Sequence, residues 1–67
     1  MTVQINGEGH DLAADTTVAD VVRTLVRHSE RGVAVALDGD VVPRSEWNTT
    51  VLRDGAQVEV LRAVQGG

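Results

Sequence analysis

The chain has 67 residues, a net charge of −4 and no cysteine, so it forms one domain with one small core and no disulfide, iron–sulfur cluster or thiol nucleophile. All six basic residues are arginines, which excludes a lysine amine as a conjugation site or Schiff-base catalyst. An acidic chain with a single aromatic residue is poorly suited to holding phosphate backbones or stacking bases, so we expect no nucleic-acid partner.

The first predicted elements are two short strands joined by a turn. Residues 2–6 alternate polar and apolar side chains, as in a half-buried strand. Residues 7–9 carry two glycines and predict the turn, and residues 10–12 predict the returning strand. We expect His10 to be an exposed hairpin residue. The chain has neither a basic leader nor a long apolar run, so we expect a cytoplasmic protein without a membrane span.

An amphipathic helix is predicted next. Apolar side chains recur at helical spacing and predict one stripe: Val18, Val21, Val22, Leu25 and Val26. Thr17 is a good N-cap residue, and Asp20 stands three residues later, which predicts a capping box. We expect the helix to end near Ser29, with Gly32 in the turn that follows.

The next segment predicts a hairpin and a short turn of helix. Residues 33–37 alternate valine or leucine with alanine and predict a strand, and residues 38–40 predict a tight turn. A brief strand follows and is stopped by Pro43. We expect a single helical turn starting at Ser45, with Trp47 packed beneath it.

The last predicted strand, residues 57–64, completes the fold. Its valines at 58 and 60 are expected in the core, which places Leu61 and Ala63 on the opposite face. The order of elements predicts an α+β, ubiquitin-like β-grasp fold, a mixed sheet of four to five strands with one helix across one face. We expect the first and last strands to be parallel neighbours in the middle. All of residues 1–67 belong to this one domain, with a flexible tail at about residues 65–67.

The predicted reactive group is the C-terminal carboxylate of Gly67. No phosphate-loop motif occurs, and we expect no catalytic triad around Ser29 or Ser45 in so small a domain. His10 and His28 have no further ligands around them at metal-binding spacing, so we expect no metal site. An α-carboxylate is an anion at neutral pH and a poor acyl donor. Within an enzyme that holds ATP it can attack the α-phosphorus, and the resulting acyl adenylate accepts a sulfur or amine nucleophile.

The terminal Gly66-Gly67 pair suits this chemistry because glycine lets a chain enter a narrow cleft. The alternative is a frayed tail tied to nothing, in an inert binding module. The residues that precede the glycines are candidates for a partner interface: Leu61, Ala63, Val64 and Gln65. Leu61 is the apolar residue that would face outward where a partner must dock.

Short stretches along the whole chain match one known pattern: Ile5-Asn6-Gly7, Thr17-Val18, Val35-Ala36-Leu37, Val42-Pro43-Arg44-x-x-Trp47, Asp54-Gly55 and Gly66-Gly67. Together they resemble the ThiS family, the bacterial sulfur-carrier proteins of thiamine biosynthesis. The Val-Pro-Arg-x-x-Trp stretch looks like the thiamine branch and not the molybdopterin branch, whereas the Gly-Gly end is shared with ubiquitin. Gln65 departs from the family pattern, in which a small residue usually precedes the glycines.

This resemblance implies that Gly67 is adenylated with ATP by an E1-like adenylating enzyme and converted to a thiocarboxylate with sulfur from a sulfur donor. The sulfur then passes to thiazole synthase. The protein is then a carried substrate and not an enzyme, and it binds no cofactor itself. Gly66 gives access to the partner's site, and Arg44 and Trp47 support the fold near the sheet edge. The alternatives are a sulfur carrier of molybdopterin or cysteine biosynthesis and a ubiquitin-like protein modifier.

Overall fold

A computed structural model describes residues 1–25 and 32–62, and within those ranges it contains one α-helix and five strands. In chain order they are β1 (Thr2–Ile5), β2 (Glu8–Asp11), α1 (Val18–Leu25), β3 (Val33–Leu37), β4 (Asp40–Val42) and β5 (Gln57–Arg62). A single 3₁₀ turn, Arg44–Glu46, follows β4. The predicted order of elements is confirmed.

The strands form one mixed sheet in the order β2-β1-β5-β3-β4. The first and last strands, β1 and β5, pair in parallel at its centre, as predicted, and the other neighbouring pairs are antiparallel. One core cluster joins the helix to one face of this sheet: Val3, Ile5, Val18, Ala19, Val21, Val22, Val35, Val42, Trp47, Leu52, Ala56 and Val58. Valine predominates because a β-branched side chain packs well on a pleated surface.

Helix α1 buries three valines of the predicted stripe: Val18, Val21 and Val22. Leu25, expected on the same stripe, is 44% exposed. It lines a groove between α1 and β2 together with Leu12 and His10. Val26 and the predicted helix end near Ser29 lie outside the described residues.

The predicted capping box begins α1. The backbone N–H of Thr17 donates to the Asp20 carboxylate at 2.9 Å, and the Asp20 backbone N–H donates to the Thr17 hydroxyl at 3.2 Å. The guanidinium of Arg23 contacts the same carboxylate at 2.6 Å. The hydrogen bond from the Thr17 backbone, followed by that from Arg23, lowers the pKa of Asp20 below its ordinary value of 3.8. Asp20 therefore links the cap to the next turn of the helix.

Both hairpins turn on two residues with positive φ, which defines the type I′ turn that matches strand twist. Asn6 (φ 52°) and Gly7 (φ 80°) join β1 to β2, and Asp38 (φ 50°) and Gly39 (φ 90°) join β3 to β4. The turn occupies residues 6–7, so the predicted turn over residues 7–9 is wrong by one residue at its start and two at its end. Asparagine tolerates the left-handed conformation, so the turn starts at Asn6 and β2 starts earlier than predicted.

His10 lies in the first hairpin, as predicted, but it is half-buried and not exposed. The pairing of β1 with β2 places His10 opposite Val3, a fully buried residue on the helix side of the sheet. The helix side therefore covers part of the imidazole, whose Nε2 lies 3.4 Å from the Glu8 carboxylate.

Trp47 is 3% exposed and packs beside the 3₁₀ turn, as predicted. Its indole N–H donates to the carbonyl of Val42 at 2.9 Å, so the polar atom of this buried ring is satisfied. The guanidinium of Arg44 lies over the ring, 5.8 Å from its centroid. Arg44 and Trp47 thus connect the end of β4 to the core, in agreement with the supporting role that the resemblance implied.

Candidate functional site

The candidate site is the C-terminal end of β5, the strand that leads to the terminal glycines. β5 is the central strand, with β1 on one side and β3 on the other. Its last described residue is Arg62. Most of the predicted site residues follow it and lie outside the described residues: Ala63, Val64, Gln65, Gly66 and Gly67. The structure therefore describes the base of the candidate site.

Leu61 faces away from the helix, as predicted, and is 61% exposed. It lies opposite Ala34 of β3. On the same face, Ala36 lies opposite Val41, which is 75% exposed. These four residues, Ala34, Ala36, Val41 and Leu61, form what we call the open-face patch. All four side chains are apolar. Because the alanine side chains are short, the patch leaves room for a partner's side chains.

One carboxylate borders the patch. Glu59 precedes Leu61 by two residues in β5, so the two side chains share a face, and Glu59 lies opposite Ala36. It is exposed, as is Arg62 at the end of the strand. A partner that covers the patch therefore meets an apolar centre with the Glu59 carboxylate at its border, and an apolar centre with a polar rim is the usual anatomy of a protein interface.

Turn residues hold β5 near both of its ends. At its start, the Asp38 carboxylate accepts a hydrogen bond from the backbone N–H of Gln57 at 2.9 Å, and the Asp38 N–H donates to the Gln57 carbonyl at 2.8 Å. Near its end, the Asn6 side-chain oxygen accepts from the backbone N–H of Val60 at 2.8 Å, and its Nδ2 donates to the Val60 carbonyl at 3.3 Å.

The sequence reasoning missed these two contacts. The Asn-Gly and Asp-Gly pairs are signals for tight turns, and that signal was available in the sequence. The partner of each side chain was not, because 54 positions separate Asn6 from Val60. Only the pairing of β1 and β5 brings these two residues together.

The described residues offer little else for chemistry. Within residues 1–25 and 32–62, no group of three His, Cys, Asp or Glu side chains is placed to hold a metal ion. His28 lies outside those ranges. In the same part of the chain, no helix has the length and apolar character needed to cross a membrane.

A helix across one face of a mixed sheet, with parallel first and last strands at its centre, defines a ubiquitin-like β-grasp protein. A sequence profile of the ThiS family matches residues 3–67, and the chain belongs to that family. The resemblance drawn from the sequence motifs is therefore confirmed.

Two curated relatives are similar along the whole chain. The sulfur carrier protein ThiS of Escherichia coli strain K12 is 28% identical over 67 residues, which is the full length of both proteins. A thiazole synthase of Magnetococcus marinus is 34% identical over 67 residues, and the match covers 100% of this chain but 20% of that protein.

Two solved structures share the fold. The crystal structure of a thiamine biosynthesis protein, ThiS, from Geobacter metallireducens superimposes with a TM-score of 0.82 at 29% identity and full coverage of both chains. A solution structure of a thiamine biosynthesis protein from the same organism gives a TM-score of 0.80 at 30% identity, over 100% of this chain and 88% of the other. The predicted β-grasp fold is confirmed.

Proposed function

We propose that this protein is a sulfur carrier of thiamine biosynthesis and that Gly67 carries the sulfur as a C-terminal thiocarboxylate. The observation that carries the proposal is the match to the ThiS family, which extends to Gly67 itself. The chain has no cysteine, so its own side chains cannot carry sulfur as a thiol or persulfide. The terminal carboxyl group is the position that remains for it.

The proposed activation begins at the Gly67 carboxylate. One of its oxygens attacks the α-phosphorus of ATP, the bond to the β-phosphate oxygen breaks, and pyrophosphate leaves. A sulfur nucleophile then attacks the carbonyl carbon, the bond from that carbon to the phosphate oxygen breaks, and AMP leaves. Because a bare carboxylate is a poor acyl donor, the adenylate supplies the leaving group that the second step needs. ATP is bound by the activating enzyme, an E1-like adenylating enzyme, and the sulfur comes from a separate sulfur donor.

The proposed acceptor of the sulfur is thiazole synthase. The support is the curated relative of that name, in which a counterpart of this whole chain makes up 20% of the protein. Two modules within one chain are held at high effective concentration, an arrangement that suits a carrier and the enzyme that consumes its cargo. In this proposal the present chain meets a separate synthase, acts as its co-substrate and performs no catalysis.

The open-face patch is the proposed docking surface for the activating enzyme. Leu61 lies six residues before Gly67, and six extended residues span at most about 22 Å. A partner that covers Leu61 therefore has the carboxyl group within reach of a cleft in the same protein. In the stretch from Leu61 to Gly67, the residues proposed to contact the walls of that cleft are Ala63, Val64 and Gln65. Gly66 lets the walls approach the chain closely.

Intact-mass spectrometry tests the proposal. The purified chain is incubated with ATP, magnesium, hydrosulfide and the E1-like adenylating enzyme of the same organism. We expect its mass to rise by one exchange of oxygen for sulfur. Two matched controls move the terminal carboxylate by one residue, a chain that lacks Gly67 and a chain with one alanine added after it. Neither control should take up sulfur.

Two outcomes would contradict the proposal. Equal sulfur uptake by the controls would show that Gly67 is not the acceptor. A chain recovered from cells linked to lysines of other proteins, with no thiocarboxylate form, would instead indicate a protein modifier. If the thiocarboxylate forms, thiazole synthase should consume it, and synthases of the molybdopterin or cysteine pathways should not.

A further inference from the structure

The side chain of Asn6 takes the place of backbone in the pairing of β1 with β5. The parallel ladder runs through Gln4↔Gln57 and Ile5↔Val58, and the N–H of Asn6 donates to the Val58 carbonyl at 2.9 Å. In a regular parallel ladder, the next two bonds would join Val60 to the backbone of residues 6 and 8. Here the chain turns away at Asn6-Gly7, and Glu8 pairs back with Ile5 in β2.

Asn6 supplies both missing bonds from its amide. Its Oδ1 accepts from the Val60 N–H at 2.8 Å, and its Nδ2 donates to the Val60 carbonyl at 3.3 Å. The side chain therefore extends the β1 side of β5 as far as Val60, although β1 itself ends at Ile5. After Val60, β5 is paired with β3 alone, through Leu61 and Arg62. Val60 is thus the last residue of β5 that is held from both sides.

We propose that Asn6 is a positioning residue: it holds Val60 on the β1 side of β5 and so sets the base from which the C-terminal segment reaches a partner's site. The seven residues after Val60 span at most about 25 Å. Without the Asn6 contacts, β5 would be paired on both sides only as far as Val58. Residues 59 and 60, up to about 7 Å of chain, would then be paired with β3 alone. This inference rests on the proposed function, because it concerns delivery of the Gly67 carboxylate.

Loss of the Asn6 contacts should slow the adenylation of the Gly67 carboxylate. A carboxylate is adenylated fastest when the chain that carries it starts from a fixed base, since each residue that must be ordered at that moment costs conformational entropy. Loss of the contacts to Val60 should therefore lower kcat for adenylation by about tenfold. The substitution leaves the open-face patch on β3, β4 and β5 unaltered, so the KM for this chain should change by less than about threefold.

Asp38 provides a matched control. It occupies the same first position of a type I′ turn, at φ 50° against 52° for Asn6, and its side chain also accepts from a backbone N–H of β5. The bonded residue is Gln57, at the start of the strand and not at the end that leads to Gly67. Asn6→Gly thus removes two side-chain hydrogen bonds to β5 and Asp38→Gly removes one, in comparable turns, and glycine keeps the positive φ in both.

The experiment combines amide hydrogen exchange with adenylation kinetics on the full chain. In Asn6→Gly, the exchange rate of the Val60 N–H should rise at least about tenfold, while the exchange rate of the Val58 N–H should not change. The kcat for adenylation should fall about tenfold. In Asp38→Gly, the accelerated N–H should be that of Gln57, and kcat should stay within about twofold of the unaltered chain. Asn6→Asp replaces the glycine variant if that variant does not fold. It keeps the acceptor and loses the Nδ2 donor, so its kcat should lie between those of the unaltered chain and a chain without either contact.

Equal kcat for Asn6→Gly and the unaltered chain, with faster Val60 exchange, would overturn the positioning role and leave the sulfur-carrier proposal intact. An equal loss of kcat in both glycine variants would also overturn it, since the effect would then follow general loss of stability. If the unaltered chain is not adenylated at all, it is the proposed function that fails.

Discussion

The indole N–H of Trp47 donates to the backbone carbonyl of Val42 across a distance of 2.9 Å inside the core. Val42 is the last residue of β4, and Trp47 follows the 3₁₀ turn, so this bond closes the Pro43–Glu46 connection onto the edge of the sheet. The ring is 3% exposed, and Val42 is 8% exposed. Water therefore has little access to replace the bond if the donor is removed.

Trp47→Phe should lower the free energy of unfolding by about 1–3 kcal/mol, because it leaves a buried carbonyl without its donor and removes part of a large ring. Trp47→Ala should cost about 3–5 kcal/mol. Urea unfolding followed by circular dichroism measures both changes. Tryptophan fluorescence cannot be used, because each substitution removes the only tryptophan. If the phenylalanine variant matched the unaltered chain, the hydrogen bond to Val42 would contribute nothing to stability.

Val58→Ala should lower the free energy of unfolding by about 2 kcal/mol, because the side chain is 1% exposed at the centre of the sheet and its removal leaves a cavity. Val41→Ala is the matched control, since it is the same substitution in a strand residue that is 75% exposed. It should change stability by less than about 0.5 kcal/mol. Equal losses in urea unfolding would contradict the assignment of the helix-covered face as the core.

Asp20→Asn should change how stability depends on pH. Contacts with Thr17 and Arg23 lower the pKa of Asp20, so its ionised form stabilises the folded state above the ordinary pKa of 3.8. This contribution is lost as pH falls through the lower pKa of the folded state. The stability difference between the two chains should therefore be largest near neutral pH and should shrink below about pH 3.8.

Urea unfolding at a series of pH values measures that difference. Arg23→Gln keeps the hydrogen bond from Thr17, the first cause of the lowered pKa, and should reproduce only part of the effect. Added salt should weaken the Arg23 contribution, because the pair is partly exposed. A stability difference that stayed constant from neutral pH to well below 3.8 would contradict the role of Asp20.

Leu61→Asp should weaken binding to the activating enzyme by at least about tenfold, because it places a charge at the apolar centre of the proposed interface. The free energy of unfolding should change little, since Leu61 is 61% exposed. Isothermal titration calorimetry with the E1-like adenylating enzyme measures the affinity. Gln4→Asp is a matched control on the same face, because Gln4 is an exposed β1 residue outside the patch and lies opposite Gly9. Equal losses for both variants would contradict docking at Leu61.

Much of the fold was predictable because it depends on local patterns. The alternation in residues 33–37 and the spacing of the helix valines follow from which side chains must face the core. The capping box at Thr17 is a contact between residues three positions apart, so it too can be read from the sequence. The first turn lies at residues 6–7 and not at the predicted 7–9, because asparagine as well as glycine adopts a positive φ.

Of the candidate site, the exposure of Leu61 and the central position of the last strand were predicted and are confirmed. The choice of Gly67 as the reactive group rests on composition and on the family, and residues 63–67 lie outside the described ranges. The rest of the open-face patch was not predicted. Val41 is far from Leu61 in sequence, and only the order of the strands places β4 and β5 on either side of β3.

The elements, the face that each one buries, the acidic, cysteine-free character of the chain and the family to which it belongs all follow from the amino-acid sequence. These properties depend on residue type and short-range spacing. The contacts of Asn6 with Val60 and of Asp38 with Gln57 follow only from the folded arrangement of the strands. Hydrophobic periodicity specifies which side chains point inward, but a polar side chain at a turn bonds to whichever backbone the strand order brings beside it.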